Sequence, residues 1–181
     1  MTSPSPTHPP EKPTSQTLVQ AFGVNRSHPP LMRWPPDAHL ACAALLALPV
    51  LAVLGWLAGP HLRIPIGVWA WVSLVLLQPL LEELVFRGLL QGQALTWLAR
   101  QGKTMQLGPI TLANAVVTLA FVALHLRAQP LAWALAVAAP SLVFGHLRER
   151  FQSAWPAAFL HALYNARLGA TASLACGSPQ N

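Results

Sequence analysis

Three pairs of residues in this chain stand four apart: Glu83 with Arg87, Phe121 with His125, and His161 with Asn165. Glu82 sits one residue before the first pair. On a helix, positions i and i+4 share a face, so each pair projects together. A carboxylate, two imidazoles and a carboxamide form a set suited to hydrolysing an amide. Desolvation makes a carboxylate a stronger base towards water. Imidazole orients water or shares its proton. Imidazole and carboxamide N–H groups donate to a developing oxyanion.

The setting of the glutamates is unusual. The chain has only 5 acidic residues, and two adjoin at 82 and 83 within Trp71–Leu90, an otherwise apolar stretch. Each charge near a bilayer centre costs about 2.5–3.5 kcal/mol, so Glu82, Glu83 and Arg87 together cost about 7–10 kcal/mol. That approaches the whole stability of a domain, about 5–15 kcal/mol. Ionisable groups at such depth mark function first.

Composition agrees with a membrane. The chain is 54% hydrophobic and 9% charged, against about 25% charged in soluble domains. Its 181 residues suit one helical bundle. The formal net charge of +6 is spread between apolar segments, which suits topology and not nucleic acid. The cysteines, Cys42 and Cys176, lie far apart without CxxC spacing, so neither a disulfide framework nor a cysteine zinc site is expected. Cys42 reads as a small apolar filler.

Residues 1–36 hold half of the 18 prolines with Ser, Thr and His, and read as a disordered cytoplasmic tail. No long apolar run precedes Leu40, so no signal peptide is expected, and Arg33-Trp34 reads as an interface anchor. Residues 37–176 are expected to form the membrane domain, and 177–181 a short tail. Five apolar segments are predicted: about His39–Ala58, Ile64–Ala99, Leu107–Leu126, Leu131–Phe144 and Ala154–Ala175. The fold expected is an all-α polytopic transmembrane helix bundle. A span needs about 20 residues, so the second segment is long and is expected to tilt or kink at Pro79. Trp56, Trp69, Trp97, Trp133 and Trp155 fall near segment ends, as an aromatic belt requires.

Lys12, Arg26 and Arg33 precede the first span; Arg100 and Lys103 follow the second; Arg148 and Arg150 follow the fourth. Arg63 and Arg127 lie opposite, with Arg167 within the last segment. The asymmetry predicts a cytoplasmic N-terminus and an external C-terminus. Thr111, Asn114, Thr118, Phe121 and His125 recur at steps of three and four, a polar stripe that must face a bundle interior. His125 lies nearer its segment end than Glu82 or His161. Five residues of offset is about 7–8 Å of depth, so a shared site requires tilt or a longer third helix.

The residues also admit plainer readings. Glu83–Arg87 is equally a structural ion pair, and His161 and Asn165 are possible interhelical hydrogen-bonders. His146, beside Arg148, Glu149 and Arg150, reads as a solvated loop residue. His8, His28, His39 and His61 carry no signal. Ser141 lacks the flanking glycines of an intramembrane serine nucleophile. No HExxH or Gly-Asp motif occurs.

Glu82-Glu83-x-x-x-Arg87, Phe121-x-x-x-His125 and His161-x-x-x-Asn165 together resemble the three ordered motifs of the CPBP family, the CAAX proteases that include Rce1 and the bacterial Abi proteins. The resemblance covers about residues 70–170. It implies a glutamate-dependent intramembrane endopeptidase that cuts a membrane-anchored protein or peptide. Carried over, Glu82 activates water, His125 helps hold it, and His161 with Asn165 forms the oxyanion hole. Glu83 and Arg87 are supporting, and Phe121 shapes the pocket. No cofactor is expected; a zinc site on Glu82, His125 and His161 is the alternative. The compact length resembles bacterial members that process C-terminal sorting tags in the inner membrane. Bacteriocin maturation, a non-catalytic scaffold or immunity role, and a small transporter are the competing readings.

Overall fold

The computed structural model describes residues 37–58, 67–103 and 105–177, with side chains through Leu174. The proline-rich tail, Arg33-Trp34, Arg63 and residues 178–181 lie outside the described residues. Among the described residues, five helical bodies follow one another: α1 (Ala38–Ala58), α2 (Val68–Arg100), α3 (Leu112–His125), α4 (Leu131–Phe151) and α5 (Trp155–Gly177). Three of them, Ala38–Trp56 within α1, then α2 and α4, are long and apolar enough to cross a membrane.

The packing is that of a membrane protein. Glu83, Arg87, Gln91, Asn114 and Ser141 are fully buried, whereas Leu45, Leu46, Leu77, Leu81, Leu119 and Leu174 face outward. With lipid as the solvent, outward apolar side chains lose nothing, and polar groups gain by meeting one another inside. α1 and α4 pack along α5 around Leu40, Phe144, Leu147, Ala157, Leu160 and Tyr164. α2 closes on α3 through Phe86, Val117 and Phe121. Tyr164 Oη donates to Ala43 O at 2.9 Å, tying α5 to α1.

α2 carries the departure from regular geometry. It runs in π-helical register over Ser73–Leu77 and Leu84–Gln91, with an ordinary α turn at Gln78–Glu83 between them. Such bulges gather at functional sites. The expected disturbance at Pro79 is thus a change of register. The Gln78 amide bonds five residues back to Ser73 O. The next amide in that register belongs to Pro79 and has no hydrogen, so Leu74 O lacks its backbone partner. Asn165 Nδ2 from α5 donates to it instead, at 3.0 Å.

Two expected segments need correction. The third was placed from Leu107, but Gln106–Leu107 and Ile110–Thr111 pair as a two-stranded antiparallel hairpin. Gly108 adopts φ +57°, and Pro109, confined to negative φ, completes the tight turn. Thr111 then caps α3 by accepting from the Asn114 amide at 3.1 Å. α3 is left with 14 residues, about 21 Å long.

The fourth segment, expected to end at Phe144, continues to Phe151. His146, Arg148, Glu149 and Arg150 are helical, not loop residues. Partners on α2 and α1 account for this. Arg148 Nε donates to Arg87 O at 3.1 Å, and Arg148 is 4% exposed. Glu149 accepts from Gln91 Nε2 at 2.7 Å and from Thr111 Oγ1 at 2.6 Å. Arg150 pairs with Asp37 at 2.8 Å and holds that carboxyl below its usual range, so this tie is present at neutral pH and weakens as pH falls through the lowered value. His146 Nε2 meets His39 Nδ1 at 2.9 Å, so His39 also has a place in the fold.

Gly145 on α4 packs directly against Asn114 of α3. A methyl group there would overlap the Asn114 carboxamide. That amide cannot swing away, because its Nδ2 donates to Leu142 O at 2.9 Å and Asn114 is fully buried. Gly145→Ala is expected to cost about 1–3 kcal/mol through forced displacement, read as a lower unfolding midpoint in detergent.

Candidate active site

The two adjacent glutamates diverge. Glu83 is fully buried, and its Oε2 accepts from Arg87 Nε at 3.1 Å. Glu82 keeps 30% of its side chain exposed. The i,i+4 spacing of Glu83 and Arg87 thus forms the ion pair that the sequence suggests. The series extends to Gln91, another four residues on, whose Oε1 faces Arg87 Nη1 at 3.4 Å.

His161 of α5 lies between both carboxylates. Its Nδ1 is 2.9 Å from Glu83 Oε1, and its Nε2 is 3.9 Å from Glu82 Oε2. The first distance is a hydrogen bond. The second is too long for one and leaves room for a bridging water. The Phe144 ring stacks on the imidazole at 5.0 Å between centroids, fixing its plane.

Phe121 joins the third helix to this centre. Its ring meets Phe86 edge-on at 5.0 Å, His125 at 4.4 Å and His161 at 6.3 Å. The Arg87 guanidinium lies 5.8 Å from the same ring centre. Both imidazoles adjoin this one ring, His125 from its own helix and His161 from α5. His125 Nδ1 bonds to Phe121 O of its own helix at 2.9 Å, leaving Nε2 available.

The polar stripe on α3 faces inward as expected. Asn114, Thr118 and Phe121 are buried. Thr118 Oγ1 is 3.0 Å from Ser141 Oγ, and Ser141 accepts from Arg87 Nη2 at 2.5 Å. Ser141 is thus a buried clasp on the guanidinium. Sequence reasoning missed Ser141, Gln91 and Glu149 as members of this network. The spacing Glu83–Arg87–Gln91 was a visible signal for one of them; the others depend on contacts between distant helices.

Asn165 also has a structural contact. One of its N–H groups is committed to Leu74 O, at the π segment, which leaves one N–H free for other work. Asn165→Ala is expected to destabilise the protein by about 1–3 kcal/mol by stranding that carbonyl, measurable by chemical unfolding. Among the described residues, no group of three His, Cys, Asp or Glu side chains is arranged to hold a metal ion.

A model of the family described as Type II CAAX prenyl endopeptidase Rce1-like matches residues 64–167. The chain belongs to the Rce1-like family. All the site residues named above from Glu82 to Asn165 fall within the match. Comparisons with curated proteins and with solved structures return no match. This Rce1-like protein is a peptide hydrolase embedded in a membrane, and its substrate is a peptide or protein there.

Proposed function

We propose that this Rce1-like protease cuts a membrane-associated protein near its C-terminal sorting or lipid-modified tail, using a glutamate-activated water and no metal. The carrying observation is the pair of distances at His161, 2.9 Å to Glu83 and 3.9 Å to Glu82, beside the ring shared with His125. In this reading water occupies the gap between Glu82 Oε2 and the imidazoles. Glu82 takes its proton as the water oxygen attacks the scissile carbonyl carbon. His125 Nε2 helps to hold the water. His161 Nε2 and the free N–H of Asn165 face the oxyanion. The proton on Glu82 passes to the leaving amine as the C–N bond breaks, and the carboxylate is regenerated.

The orientation follows from the same ends. Arg100, Lys103, Arg148 and Arg150 lie at the ends of α2 and α4, where Asp37 at the start of α1 meets Arg150. We assign this side to the cytoplasm of a bacterial inner membrane on the positive-inside rule. The test is the full chain in nanodiscs with a farnesylated CaaX peptide anchored in the same bilayer. A shortened peptide by mass, formed equally with and without chelator, is expected. Activity lost to chelation and restored by zinc contradicts the metal-free account.

A further inference from the structure

Glu83 does more than neutralise Arg87. We infer that Glu83 is a positioning residue that fixes which nitrogen of His161 works at the site, an inference that rests on Glu82 as the base. In its ion pair with Arg87, the Glu83 carboxylate can only accept hydrogen bonds. Its Oε1 lies 2.9 Å from His161 Nδ1, so Nδ1 carries a hydrogen. The other nitrogen, Nε2, is thereby left to face Glu82 at 3.9 Å. In neutral imidazole Nε2 presents its lone pair to the water, and in imidazolium it presents N–H to the oxyanion, while the proton on Glu82 goes to the leaving amine in either state. One hydrogen bond thus selects both the acceptor and the donor state of the working nitrogen.

The surroundings leave Glu83 in charge of this choice. α2 presents Glu82, Glu83 and Arg87 to the imidazole or its near neighbours. α3 presents His125, separated by the Phe121 ring. α4 presents the Phe144 ring, which offers no hydrogen-bond partner in the ring plane. Glu83 is the group at hydrogen-bond distance from Nδ1. Its own second oxygen is held by Arg87, and Arg87 is held in turn by Ser141 and Gln91. The orienting carboxylate is therefore fixed on both sides.

The experiment is 15N spectroscopy of histidine-labelled full chain in nanodiscs at about pH 8.5, about two units above the ordinary imidazole value. The His161 signals are assigned by their loss in His161→Gln. Wild type is expected to show hydrogen on Nδ1. Glu83→Gln retains an acceptor oxygen and is expected to keep that hydrogen. Glu83→Leu/Arg87→Leu removes the acceptor together with the charge it would otherwise strand, and is expected to move the hydrogen to Nε2 and lower kcat/KM about 10²-fold or more. A wild-type Nδ1 without hydrogen, or an Nδ1 hydrogen that survives in the folded double variant, overturns the inference. The spectra need no turnover, so they are independent of whether Glu82 proves to be the base.

Discussion

Arg87→Leu is expected to lower stability by about 3–5 kcal/mol, the cost of leaving one buried charge uncompensated. Glu83 and Arg87 are both fully buried, so water cannot take over the role of the lost cation. Ser141 Oγ also loses its donor, and Gln91 Oε1 loses its contact with Nη1. A loss of that size is a large share of the about 5–15 kcal/mol that holds a domain together. Glu83→Leu/Arg87→Leu is expected to recover much of it, because two apolar side chains replace a buried pair without stranding either charge. Unfolding midpoints of the two single variants and the double variant in one detergent give the coupling directly. Equal losses in the single and double variants would show that the pair is not the source of the effect.

Much of this arrangement can be read from the residues themselves. Glu83 and Arg87 are four apart in a helix, and geometry then makes them partners. The steps from Thr111 to His125 define one face, and that face is the buried one. The extent of α1 and α5 follows the apolar runs closely. What escaped is set by contacts across the bundle. Pro79 signals a disturbed helix, but nothing local says that the chain answers with a π register or that Asn165, 91 residues away, supplies the missing donor. The run His146–Arg150 resembles a loop because its charges have no visible partners in sequence. Arg87 O, Gln91, Asp37 and His39 supply them in three dimensions. Likewise, Glu83 reads as a brace for Arg87 alone until α5 brings His161 Nδ1 to its second oxygen. The hairpin at 106–111 is short and rests on Gly108-Pro109, a turn signal that an apolar count passes over.

The second large effect falls on activity, at Glu82. Its carboxylate differs from that of Glu83 in being part-exposed and in lacking an arginine partner among the described residues. Stability therefore depends little on its charge, and Glu82→Gln is expected to fold as wild type does. The amide has nearly the same shape but cannot take a proton from water. Removing a general base costs about 10²–10⁴-fold. Glu82→Asp keeps the carboxylate and withdraws it by one methylene, and is expected to fall between the two. This ordering separates proton transfer from mere polarity at the site. The decisive measurement is kcat/KM for cleavage of a nanodisc-anchored farnesylated CaaX peptide by wild type and Glu82→Gln, each with its unfolding midpoint recorded. The account predicts unchanged midpoints and a loss of about 10²–10⁴-fold in kcat/KM; a folded Glu82→Gln protein that cleaves at the wild-type rate would contradict it.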